Sequence, residues 1–151
     1  MLKVEYINPF VEASISVLKS CCKITAKIGK LSIKPLDFKG NHNVILIGVT
    51  GQVKGQVFID FKDSVAKLIV GSMVGFDVQE VDDLAESALA ELGNMIMGNT
   101  ATIFSQLGYA VDITPPTLAK GNVIFDMKGL EHICIPIVVQ NEEFDIHVAL
   151  I

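Results

Sequence analysis

Residues 82–108, DDLAESALAELGNMIMGNTATIFSQLG, set Asp82 ahead of a long run of helix formers and Gly108 behind it. Aspartate accepts from the free amides of a first turn, and glycine takes the left-handed conformation that ends a helix. The spacing therefore predicts a helix from about Asp82 to Leu107. At about 100° per residue, Ala85, Leu89, Leu92, Ile96, Ile103 and Leu107 gather on one side and predict its core face. Ser87, Glu91 and Asn94 fall within about 60° of one another on the other side, joined by Asp83, Gly98 and Ala101. A polar stripe pointing away from the core is open to a partner. The small residues Ala90, Gly98 and Ala101 beside it let another backbone come close.

Outward from this helix the chain alternates between the two periods. Asn8-Pro9 reads as a helix start, and Val11, Ser14, Ile15 and Leu18 recur at helical spacing, predicting a helix from about Pro9 to Ser20. Lys23 to Ile28 alternates polar and apolar residues, a strand signal, and a second strand is expected around Leu31 to Lys34. Asn43 to Thr50 and Gln56 to Phe61 are β-branched and apolar runs joined by a glycine-bounded turn from Gly51 to Gly55, which predicts a hairpin. Asp63 or Ser64 is placed to cap a short helix ending near Gly75. Beyond Gly108, Ala110 to Ile113, Asn122 to Met127, Ile133 to Val139 and Phe144 to Leu150 read as strands. Pro115-Pro116 keeps the first of them out of a central position, because two backbone donors are missing. The fold class expected is α+β, a mostly antiparallel sheet packed with two long helices and built from two related halves, in one domain over residues 1–151.

The chain has 151 residues, enough to bury one continuous core, and half of them are hydrophobic. Its apolar runs, such as Val44 to Val49, are too short to cross a bilayer. Net charge is -5 with no concentration of Lys and Arg, so neither nucleic acid nor an anionic membrane is the expected partner. Three cysteines, two of them adjacent at Cys21 and Cys22, make no disulfide framework, and the first residues lack the pattern of a secretion signal. A reducing, cytoplasmic location is expected. His42, His132 and His147 show no ligand spacing, so no metal ligand is assigned and each is expected to be a surface or core histidine.

A Glu-x-x-Asn pair alone is a weak signal and ordinarily marks a solvated helix face. Here Ser87-x-x-x-Glu91-x-x-Asn94 resembles the Asp/Ser-x-x-x-Glu-x-x-Asn signature of the CheC, CheX and FliY phosphatases. Ile113-Thr-Pro-Pro-Thr117 resembles the segment that follows it in that family, and Ile7-Asn-Pro-Phe-Val-Glu12 resembles CheX-like starts. The likeness covers nearly the whole chain. CheC carries the signature on both long helices and CheX on one. In this chain the first helix has Asn8, Glu12 and Ile15 in the corresponding places, with an apolar residue where the amide belongs, so a single CheX-like site and a homodimer are implied. Ile133 to Val139 is the edge strand expected to offer backbone groups to the second copy.

The resemblance implies a phosphatase acting on the phosphoaspartate of a CheY-like response regulator, with Asn94 and Glu91 catalytic. A carboxamide accepts from a water and donates elsewhere, which suits Asn94 to hold the attacking water. Glu91, one turn earlier, is expected to pair with the regulator's lysine. Asp83, Ser87, Gly98 and Ala101 are expected to line the contact. No cofactor of the chain's own is expected, and magnesium belongs to the partner. The competing reading is a CheC-like or flagellar-switch-like binding module that uses the same helix without turnover.

Overall fold

The structure, a computed structural model, describes residues 3–127 and 130–151. Three helices, α1 (Val4–Cys22), α2 (Asp63–Val74) and α3 (Asp83–Gln106), lie with nine strands: β1 (Lys27–Ile28), β2 (Asp37–Phe38), β3 (His42–Gly51), β4 (Gly55–Lys62), β5 (Val111–Ile113), β6 (Thr117–Lys120), β7 (Val123–Ile124), β8 (Glu131–Val139) and β9 (Glu142–Leu150). Every pairing is antiparallel. The main sheet runs β1-β8-β9-β4-β3-β5, with β6 also on β3, and β2 pairs β7 in a small separate sheet.

This order has an internal twofold. Exchanging α1, β1, β2, β3 and β4 for α3, β5/β6, β7, β8 and β9 turns the strand order into itself, with β4 and β9 paired at the centre. Each half's first strand pairs with the hairpin of the other half, so neither half closes its sheet alone. The long helices repeat the relation in their burial. Phe10, Ala13, Val17 and Leu18 of α1 and Leu89, Leu92, Ile96 and Met97 of α3 occupy the same successive positions, all buried. They cover one face of the sheet, where period-two alternation puts Ile45, Ile47, Ile59, Phe61, Ile135, Ile137, Phe144, Ile146 and Val148 into the same core. The opposite face carries Val44 and Phe58, covered by Leu36, Phe38, Phe125 and Met127 from the β2 and β7 segments.

Several expectations are corrected. The first helix begins at Val4, not Pro9; Asn8 lies within it and caps nothing. Tyr6 packs on Phe104 of α3 and on Tyr109 just beyond it at ring-centroid distances of 6.4 and 5.6 Å, which holds the added first turns in place although Pro9 has no amide to donate. Residues 23–26 alternate in burial as expected, but Lys23 takes a left-handed conformation (φ 55°) to close α1, and strand pairing starts only at Lys27. The strand expected at Leu31 to Lys34 reduces to one bridge, Ser32 with Cys134. That bridge and β1 occupy the outer side of β8, so Ile133 to Val139 is not an open edge. Asn122 to Met127 shrinks to β7. Pro115-Pro116 does fall on an edge: it splits β5 from β6, and both lie on β3. Neither Asp63 nor Ser64 caps α2; Asp63 accepts from Asn43 Nδ2, and Ser64 donates to Glu142. Leu107, assigned to the core face of α3, is 54% exposed, and Met97, Thr100 and Phe104 are buried in its place.

Candidate active site on the second long helix

Asp82 starts α3 as expected: its Oδ1 accepts from the Ala85 amide at 2.9 Å. At the other end Gly108 has φ 94°. Between them Gly93 decides how closely the helix sits. A Cβ at that position would come 3.0 Å from Ile45 Cγ2, so the absence of a side chain lets α3 lie against β3. Gly98 is different, since a Cβ there would meet no atom within 4 Å. Among the described residues nothing requires glycine at that position.

Leu89, Leu92 and Ile96 anchor the buried side of the helix, which turns Asp83, Ser87 and Glu91 to solvent and leaves Asn94, Gly98 and Ala101 half-buried beside them. The whole predicted stripe thus lies on one accessible face. Its polar members differ from the others on α3. Glu86 accepts from Lys120 Nζ at 3.3 Å, which ties the first turn to β6. Asn99, Thr100 and Thr102 donate to carbonyls of their own helix. Among the described residues, Glu91 and Asn94 have no side-chain partner, so a carboxylate and a carboxamide one turn apart stand ready for groups from outside. On α1 the corresponding places hold Glu12, exposed, and Ile15, half-buried. The charge recurs there and the amide does not.

Sequence reasoning missed an apolar shoulder near the start of this stripe. Phe76 and Leu84, each 62% exposed, flank a cleft that also includes Val70, Val74 and Val78, at the α2–α3 connection. Phe76 and Leu84 sit in a loop and a first turn, where no periodicity marks them.

The histidines, scattered in sequence, converge on the other face of the sheet. His42 Nδ1 lies 2.7 Å from Asp60 Oδ1; burial raises the Asp60 carboxyl above its ordinary range, and the contact with His42 partly opposes this. His132 Nε2 donates to the Lys34 carbonyl at 3.1 Å. His147 lies opposite Cys134 in the β8–β9 register, with Asp145 two residues away on the same face. One ligand atom from each of Cys134, Asp145 and His147 can be chosen so that all three lie within 4.8 Å of one another. His147 is buried, as a core histidine would be, yet it stands beside two other side chains of ligand type. Pairing between strands, not spacing along one, brings the group together. Burial pushes the Cys134 thiol up to about 12 and His147 down to about 4, so both are neutral near pH 7.

The chain is similar in sequence and in fold to several known proteins. The family described as chemotaxis phosphatase CheX matches residues 44–138. The CheY-P phosphatase CheX of Thermotoga maritima is 32% identical over 146 residues, covering 95% of this chain and 94% of that one. A CheC-like superfamily protein from Shewanella sp. PV-4 superimposes with a TM-score of 0.88 at 26% identity, covering 99% of each chain. A CheX–CheY–BeF3–Mg2+ complex from Borrelia burgdorferi gives 0.78 at 27% identity, over 98% of this chain and 99% of that one.

Proposed function

The chain belongs to the chemotaxis phosphatase CheX family, and from that membership we propose that it hydrolyses the phosphoaspartate of a CheY-like response regulator, using Glu91 and Asn94. What supports the pair is their setting. Like Asp83 and Ser87 on the same open face they have no side-chain partner within the described residues, and they alone put a carboxylate and a carboxamide one turn apart there. A phosphoaspartate is an acyl phosphate, and its hydrolysis needs a water in line with the departing carboxylate. Catalysis of phosphoryl transfer is mainly positioning and charge stabilisation, so a rigid helix that presents an amide to that water supplies what the reaction lacks. In this reading Asn94 Oδ1 accepts from the water, and Glu91 pairs with the receiver's lysine. Docking excludes solvent and strengthens that pair.

Magnesium and the lysine are the receiver's, as part of the substrate. Gly98 and Ala101 leave room for the receiver backbone, Asp83 and Ser87 border the contact, and Phe76 and Leu84 extend it with apolar area. In this reading the chain works in the cytoplasm beside its receiver. No helix among the described residues is long and apolar enough to cross a membrane. The test is to mix the protein with a phosphorylated CheY-type receiver and follow phosphate loss. Faster loss that saturates with protein is expected. Binding without faster loss would assign α3 to docking alone and overturn the enzymatic reading.

A further inference from the structure

On the face of the sheet away from α3, His147 is 2% exposed, and neither Nδ1 nor Nε2 has a hydrogen-bond partner. Buried polar atoms are nearly always paired, so an imidazole with both nitrogens idle is missing a neighbour. The atoms around it are in the same condition. Asp145 Oδ2 accepts from Lys34 Nζ at 3.3 Å, whereas Asp145 Oδ1 is buried with no partner. Ser32 Oγ is also buried and unpaired, on the residue whose backbone exchanges both bridge hydrogen bonds with Cys134. The Phe38 ring packs edge-on over His147 at 5.5 Å and closes the site to large ligands.

We propose that Cys134, Asp145 and His147 form a binding site for a divalent cation of zinc-like chemistry, clipping β8 to β9 beneath the Ser32–Phe38 segment. Thiolate, imidazole and carboxylate together are a zinc set, whereas magnesium and calcium take oxygen ligands. Zinc bonds of about 2.0–2.3 Å require the three ligand atoms to close in by roughly an ångström, which is within the reach of side-chain rotation. Water or Ser32 Oγ would complete a tetrahedron. On binding, the Cys134 thiol gives its proton to solvent and the thiolate takes the metal; His147, neutral already, offers its lone pair directly. A buried water is the rival occupant: it would satisfy His147 and Asp145 Oδ1 without drawing a metal into the site.

The test uses the full chain, stripped with a chelator, dialysed and titrated with Co2+ and with Zn2+ alone. One Co2+ per chain is expected, with a thiolate-to-cobalt charge-transfer band and the intense visible bands of a tetrahedral ion. Zn2+ should displace it and raise Tm. Cys134→Ser should lose the charge-transfer band and most of the Zn2+-induced rise in Tm. Cys22→Ser, which alters another buried thiol outside the cluster, should keep both. No stoichiometric uptake by the native chain, or an identical cobalt spectrum in Cys134→Ser, would overturn the proposal. Should Cys134→Ser fold poorly, His147→Gln supplies the same comparison through the tetrahedral bands.

Discussion

Glu91 on α3 and Glu12 on α1 occupy corresponding exposed places on the two long helices, but only Glu91 has a carboxamide one turn further along. Ile15 stands where Asn94 does and can neither accept from nor donate to a water. The two glutamates should therefore behave differently although both are solvent-facing. Glu91→Ala should weaken receiver binding and slow phosphate release, while Glu12→Ala should leave both within twofold of the native chain. Titrating each variant with phosphorylated receiver and measuring initial phosphate release checks this, and equal losses would point to a second working site on α1. The exposed face that carries Ser87, Glu91 and Asn94 was legible because three helical positions fix a common side without help from the rest of the fold; the pair on it was singled out by the family resemblance. Cys134, Asp145 and His147 were not legible. They come from neighbouring strands, and only the β8–β9 register puts Cys134 opposite His147.

At the scale of the element, α3 contains two glycines with opposite expected behaviour. Gly93→Ala places a methyl 3.0 Å from Ile45 Cγ2 in a fully buried region, and overpacking there should cost about 1–3 kcal/mol despite the better helix propensity of alanine. Gly98→Ala meets open space and should stabilise the chain by up to about 1 kcal/mol while weakening receiver binding, because the added methyl lies on the proposed docking face. Denaturant melts of the two variants, with a binding titration for the second, check both signs. Asp82→Ala removes the bond to the Ala85 amide and should cost about 1 kcal/mol in the same melts. The ends of α3 could be read from sequence because an aspartate and a glycine mark them chemically. The start of α1 could not, because it depends on Tyr6 meeting Phe104 and Tyr109 from residues far along the chain. Likewise β6, Thr117–Lys120, carries no strong alternation and forms because Pro115-Pro116 leaves a free length of β3 for it to pair with.

For the whole molecule, the internal twofold brings a long helix from each half to the same face of the sheet, and only α3 carries a carboxamide one turn after its exposed glutamate. The open margins of the sheet are β1 and the β5/β6 edge, since β8 is covered. Ile28 of β1 and, just after it, Leu31 and Ile33, the last 77% exposed, form an apolar margin that a second copy would bury. A homodimer is expected at micromolar concentration, with Ile33→Glu shifting it towards monomer in sedimentation velocity; a native chain that sediments only as monomer would contradict this. The reaction itself involves two whole proteins, and its central claim is that the Asn94 amide aligns the attacking water once the receiver has docked. The direct measurement is single-turnover phosphate release from phosphorylated receiver at saturating protein, native chain against Asn94→Ala. Asn94→Ala should release phosphate roughly 10²-fold more slowly, the scale of removing one preorganised polar group from a transition state, with receiver affinity and melting temperature essentially unchanged. An Asn94→Ala protein that releases phosphate at the native rate would contradict the account.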